Sequence, residues 1–376
     1  MLTAILPKSL TGEEVTTEET TREQIKRRER DFRRRFHLAL GGMIVAIVVS
    51  VFLAATLGRI ELSAAEVWNA IMAGLGVRSE SAADATSTVV VFHIRLSRIC
   101  LSSLVGLALA VAGAAFQGIL RNPLADPFTI GVSTGAAFGA SMAIFFGLGA
   151  GATLGMGLLP LASLGGAVAA LVAVIALARV DGQLRRDSMV LAGIVVATFL
   201  AALISLLKSL DEESVSSIVF WVMGSFQGRG WSHVGFALPY TVAGLILVGA
   251  HAHELDLLTL GDMQARQLGV DVNRVRMRIL LGASLLTAAA VSVSGVIGFV
   301  GLIVPHLVRI TIGPEHRRLL ILSGLLGMIL LTWSDVVART VLPAGEELPV
   351  GVVTALLGGP FFCLLLKSKK ELRSLD

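Results

Sequence analysis

The chain has 376 residues, 55% of them hydrophobic and only 15% charged, with a mean hydropathy of +0.81 and a formal net charge of +4. A soluble globular domain carries about a quarter charged residues, so this much apolar side chain does not fit one aqueous core and the main solvent is lipid. Forty glycines, a single tyrosine and continuous helix-length apolar runs exclude a β-barrel, whose strands alternate in segments of about ten residues between aromatic girdles.

Residues 1–35 are polar, with TGEEVTTEETTREQ ahead of a basic block, KRRERDFRRRF (26–36). They lack the short apolar core and small-residue cleavage site of a secretory signal. A cytoplasmic tail, disordered or partly helical, is expected, followed by a membrane domain over 36–370.

A crossing needs about 20 apolar residues. Candidate spans run over 37–58, 99–119, 129–149, 158–178, 188–208, 235–252, 279–303, 319–338 and 350–366. The apolar piece GLIVPHLVRITIG (301–313), interrupted by Pro305, adds a half-length helix. The expected fold is an all-α, polytopic membrane protein with about ten transmembrane helices. With the N-terminus inside, only seven of the 31 Lys and Arg fall in outer loops: Arg59, Arg78, Arg95, Arg98, Lys208, Arg229 and Arg339. This bias puts both termini in the cytoplasm. It also assigns the basic balance to membrane lipid head groups, with no nucleic acid as partner.

Between the second and third spans lies RNPLADP. Pro123 and Pro127 stop either helix from running on, and they bias Asn122 and Asp126 to extended geometry. The third span is then built of small residues, among them Gly131, Ser133, Gly135, Ala137 and Gly139. Such a helix either packs closely on its neighbours or lines a wide pathway. An offset of 182 residues aligns 101–123 with 283–305 through seven identities, a weak signal of an inverted internal repeat of the kind transporters use.

The spans hold almost no ionisable residues, which an ion-coupled carrier or channel keeps for its work. Asp335 stands four residues before Arg339 and reads as a local i,i+4 pair, with a proton relay as the alternative. No P-loop, HExxH, GxSxG or pair of catalytic carboxylates occurs, so neither nucleotide chemistry nor a membrane enzyme is expected in this chain, and no catalytic residue is assigned. Cys100 and Cys363 form no CxxC or Cys/His cluster, so no metal site or structural disulfide is expected.

The inner loop LDLLTLGDMQARQLGVDVNRVRMR (255–278) carries helix punctuation. Gly261 permits a sharp bend after Leu260, Asp262 favours a helix start, and Gly269 suits a C-terminal cap. The intervening DMQARQL, with Ala265, Arg266 and Leu268, reads as a short helix. It either sits in the head groups or passes force from a cytoplasmic partner.

Several stretches together resemble the FecCD-type permeases of ABC importers for ferric siderophores, haem and vitamin B12. They are RLSR (95–98), GLALAVAGAAFQGILRNPLADPFTIGVSTGA (106–136), LAGIVV (191–196), WVMGSFQG (221–228), LTLGDMQARQLGV (258–270), GFVGLIVPHLVR (298–309), HRRLL (316–320) and ELPVGVVTALLGGPFF (347–362). The resemblance covers roughly 37–368 in order, with Ser97 standing where the family often has proline, a change expected to soften the entry to span two. It implies ten helices, a second permease subunit (a homodimer in first place), two cytoplasmic ATPases that hold ATP and Mg, and an extracytoplasmic substrate-binding protein. No cofactor is implied in this chain.

The resemblance makes Leu260, Gly261, Asp262, Ala265, Arg266, Leu268 and Gly269 the ATPase-coupling loop. Arg95, Arg98 and Arg339 become the outer residues that meet acidic groups of the binding protein, with interfacial anchoring as the alternative. Asn122, Pro123, Asp126, Pro127, Gly182, Arg185 and Arg186 become gate or hinge positions of an alternating-access pathway. Ferric siderophore is the first expected cargo, then haem, then cobalamin.

Overall fold

The computed structural model describes residues 12–58, 62–77, 85–148, 157–343 and 346–373. It divides into two compact units, Met1–Gly42 and Met43–Asp376. In the first unit the polar tail is helical from Gly12, the start of α1 (Gly12–Thr56). Its run of Glu, Gln, Lys and Arg consists of strong helix formers. Arg59 and Arg78, expected in an outer loop, lie outside the described residues.

The second unit is a helical bundle. After the end of α1 come α2 (Ala64–Gly74), a single turn α3 (Ala85–Thr88), a π-helical stretch (Val89–Leu96) and α4 (Ser97–Leu120). A 3₁₀ turn (Pro127–Ile130) leads to α5 (Val132–Phe145), and α6 (Leu159–Ala178) follows. A two-stranded hairpin, β1 (Arg179–Val180) and β2 (Gln183–Leu184), precedes α7 (Arg186–Leu210), α8 (Glu212–Val222), α9 (Trp231–Gly249), α10 (Ala252–Leu260) and α11 (Asp262–Gln267). The chain closes with α12 (Val272–Ser294), α13 (Val300–Ile312), α14 (His316–Thr340) and α15 (Val350–Arg373). Among the described residues seven helices are long and apolar enough to cross a membrane, and three shorter apolar helices, Val132–Phe145, Val300–Ile312 and Val350–Leu365, overlie the remaining candidate spans.

Three expectations need correction. RLSR is not a loop: Arg95 lies in the π-helical stretch and Arg98 in α4, in one run from Thr86 to Leu120 that can span the bilayer. Ser97 keeps the backbone N–H that proline would remove, and its hydroxyl bonds back to the His93 carbonyl at 2.6 Å, so the helix passes straight through. The seventh span stops at Ser294, because Gly295 turns to φ 71° and opens an irregular stretch before α13. For the same reason the 182-residue offset does not pair equivalent structures: Gly113 is inside α4, whereas its counterpart Gly295 ends α12.

Helices α4 and α12 are buried on almost every face and form the centre of the bundle. Glycines bring the backbones together there. A Cβ on Gly106 of α4 would strike the carbonyl of Gly327 in α14, and one on Gly327 would strike Gly106. The small face of α5 packs in the same way, Gly135 lying against Gly166 of α6. Close packing therefore accounts for one side of α5. On another side Ser133, Thr134 and Ala137 line a cavity of about 400 Å³ shared with α7 and α8.

Candidate functional site

At one end of the bundle the chain turns sharply between α10 and α11. Gly261 holds φ 127° and ψ 156°, a conformation that L side chains avoid. The expected short helix is present as α11. Gly269 closes it at φ 86°, its N–H reaching the Arg266 carbonyl at 3.0 Å while the Val270 N–H reaches Ala265 at 3.0 Å. Ala265 is fully buried beneath the turn, whereas Leu260, Met263 and Leu268 are 55%, 73% and 59% exposed. Three large apolar side chains on one short exposed segment fit a protein partner better than water.

Asp262 does not cap α11; it is the hub of an ionic network. Its carboxylate accepts from Arg276 of α12 at 2.8 and 2.9 Å and pairs with Arg186, the first residue of α7, at 3.1 Å. Burial alone would raise this carboxyl, but the hydrogen bond and charge of Arg276, with the charges of Arg186 and Arg266, hold it below the usual carboxylate range. Arg276 is 4% exposed at its side chain and also donates to the Leu184 carbonyl at 2.6 Å. Asn273 accepts from the Leu184 N–H at 2.9 Å and donates to the Gly182 carbonyl at 3.1 Å, and Arg266 reaches Gln183 at 3.1 Å. Asp262 and Arg266 of the bend and Gly182 and Arg186 of the gate set are thus stitched together around the β1–β2 hairpin. Arg185, extended at the start of α7, joins the hairpin to that helix.

The turn after α4 sits at the same end. Arg121 takes the left-handed conformation that ends α4 at φ 50°. Asn122 accepts from the Leu124 N–H at 3.0 Å, and Asp126 caps the 3₁₀ turn by accepting from Phe128 at 3.0 Å, with Pro127 at its first position. Burial pushes the Asp126 carboxyl up to about 6, against the opposing hydrogen bond from Phe128. Pro123 belongs to the same turn, and no hydrogen bond among the described residues ties that turn to the hairpin.

The opposite end holds a second ionic cluster. Arg98 forks onto Asp335 of α14, with Nε 3.0 and 2.9 Å from the two carboxylate oxygens and Nη2 at 2.7 Å, and its Nη1 donates to Glu347 at 2.8 Å. This replaces the expected Asp335–Arg339 pair. Arg339 instead donates to the Ala54 carbonyl at 2.7 Å, and Arg95 to the Ala55 carbonyl at 2.7 Å, satisfying the end of α1. Arg95, Arg98 and Arg339 are 4%, 7% and 7% exposed, and Arg98 holds two carboxylates.

A family model for the FecCD transport family matches residues 46–368. The chain belongs to the FecCD transport family. It is 42% identical over 308 residues to the cobalamin import system permease protein BtuC of Halobacterium salinarum, covering 82% of this chain and 81% of that one. It is 38% identical over 343 residues to the hemin transport system permease protein HmuU of Yersinia pestis, covering 90% and 97%. A solved metal-chelate type ABC transporter in an inward-facing conformation aligns with a TM-score of 0.75 at 32% identity, over 88% of this chain and 98% of that one. The chain is therefore a multi-pass ABC importer permease of the FecCD type for metal chelates.

Within this FecCD permease, the bend at Gly261, the short helix after it and the turn after α4 are legible in the sequence, but their wiring is not. In sequence Arg276 and Asn273 are only two residues of the inner loop 255–278. The hairpin was also missed, although Asp181–Gly182, now at φ 51° and 73°, is the strongest short hairpin signal a sequence offers. Glu347 was visible only as part of a family stretch; its position follows from the Leu348 N–H bonding the Ala338 carbonyl at 3.0 Å, which lays this segment along α14.

Proposed function

We propose that the chain forms, with a second permease subunit identical to it, the pathway of an ATP-driven importer that moves a metal chelate into the cytoplasm by alternating access. Ferric siderophore is the first candidate cargo, with haem and cobalamin next. Two cytoplasmic ATPases, which hold ATP and Mg, grip the segment from Leu260 to Gly269. An extracytoplasmic binding protein delivers the chelate at the arginine end. Both termini lie in the cytoplasm.

The observation that carries this reading is the Asp262 hub beneath an exposed apolar segment. Force applied at Leu260, Met263 and Leu268 reaches Asp262 one residue beyond the bend. Arg276 passes it to α12, Arg186 to α7, and Asn273 with Arg266 to the hairpin. Helix α7 in turn lines the 400 Å³ cavity with α5 and α8, so a shift of α7 changes the space open to cargo. At the other end, a carboxylate of the binding protein would compete with Glu347 for the Nη1 of Arg98.

Asp262→Asn keeps the size of the side chain and removes its charge. Hydrogen bonds to charged groups contribute about 1.5–3 kcal/mol, so the arginine contacts weaken substantially. In proteoliposomes with the ATPase and binding protein, this variant is expected to keep ATP hydrolysis but lose about tenfold in chelate taken up per ATP. An unchanged ratio would remove Asp262 from the coupling route.

A further inference from the structure

A cavity of about 350 Å³ opens at the arginine end, between the ends of α5, α6, α8 and α12 and the residues just before α15. Trp221 and Arg229 both line it. Trp221 is 7% exposed, and its indole Nε1 is buried with no hydrogen-bond partner among the described residues. The Nε of Arg229 is in the same condition. Arg229 has its Nη1 3.2 Å from His233 Nε2 and forms no ion pair among the described residues. Glu347 shares the cavity, but its carboxylate lies 2.8 Å from Arg98. Burial lowers the affinity of the Arg229 guanidinium for its proton, and no carboxylate offsets it.

An indole N–H and a guanidinium N–H are donors only. Two such donors without acceptors at one cavity carry the desolvation cost of buried polar groups, and the guanidinium carries that of a charge as well. A neutral carbonyl would answer the first cost alone, whereas an anionic oxygen answers both. Ser217 and Ser225 on the same wall supply hydroxyls for the remaining lone pairs.

We propose that this cavity is a subsite for an anionic oxygen of the arriving chelate, a carboxylate in first place, held by Arg229 and Trp221. The inference rests on the importer reading, because the cavity lies at the end where cargo would be delivered. It makes Arg229 a specificity residue that favours negatively charged chelates over neutral ones.

The test uses the full chain in lipid nanodiscs, carrying 5-fluorotryptophan. It is titrated with gallium citrate, a diamagnetic anionic chelate, and with a neutral gallium trihydroxamate. The fluorine resonance of Trp221, assigned through Trp221→Phe, is expected to shift saturably with the citrate complex and to stay in place with the neutral one. Arg229→Gln is expected to weaken the citrate response about tenfold or more. The resonances of Trp68, Trp231 and Trp333 report whether the variant keeps its fold. If they move, Arg229→Lys, which keeps the charge and loses the Nε donor, is read instead and is expected to bind several-fold more weakly. No citrate shift, an equal shift with the neutral complex, or full affinity in the variant read would each overturn the proposal. No ATPase takes part, so this result is separate from that of the importer reading, which is tested by nucleotide-dependent uptake in the assembled complex.

Discussion

Gly261→Val is expected to cut ATP-driven uptake by roughly 10- to 100-fold while leaving the permease folded and in the membrane. The cause is the backbone. At φ 127° a residue with a Cβ is strained, which costs about 1–3 kcal/mol. The added atom would also strike Gln264 Oε1, but that is the tip of a flexible side chain and can move aside. The chain relieves the strain by opening the bend between α10 and α11. That movement tilts α11, draws Asp262 off Arg276 and misplaces the three exposed apolar residues together. The measurement is initial uptake by proteoliposomes at matched protein content, with ATP hydrolysis followed in parallel. Uptake within twofold of the unsubstituted chain would mean that the bend has no part in coupling.

Asp335→Ala is expected to be the most destabilising single change at the arginine end. Removing one partner of a buried ion pair leaves the other uncompensated and costs about 3–5 kcal/mol. Glu347 still touches Arg98, which puts the loss toward the lower limit, equivalent to a fall in apparent Tm of about 5–10 °C. Replacing both partners, Arg98→Met with Asp335→Leu, removes the orphaned charge and is expected to recover most of that loss. Thermal unfolding followed by tryptophan fluorescence in detergent reads both variants. A proton relay predicts another pattern: Asp335→Ala stable, with transport lost. The fork from Arg98 leaves Asp335 little freedom to exchange protons, so the structural outcome is the expected one.

The features legible in the sequence were those written locally. Apolar runs of membrane length predicted the crossings, and Gly261 with Gly269 marked both ends of α11 because each must adopt a backbone that other residues resist. Asp181–Gly182 is equally local, a two-residue hairpin turn set between two long apolar runs. The Arg98–Asp335 pair was out of reach, since its partners stand 237 residues apart and meet only once α4 and α14 have packed. Assigning every arginine to a loop by charge bias concealed it further, because a paired arginine can sit inside a helix. The wiring of Asp262 is tertiary in the same way: nothing in DMQARQL says that its first carboxylate turns back to α12 and α7 instead of capping its own helix.

The central claim is that this chain is a passive pathway worked by a separate ATPase through the Asp262 hub. Its most direct test is chelate accumulation in proteoliposomes containing the chain and its binding protein, with and without the ATPase, under imposed proton or sodium gradients. The account predicts accumulation only when ATPase and ATP are both present, whatever the gradient. Uphill accumulation by the chain without an ATPase, driven by either gradient, would contradict it.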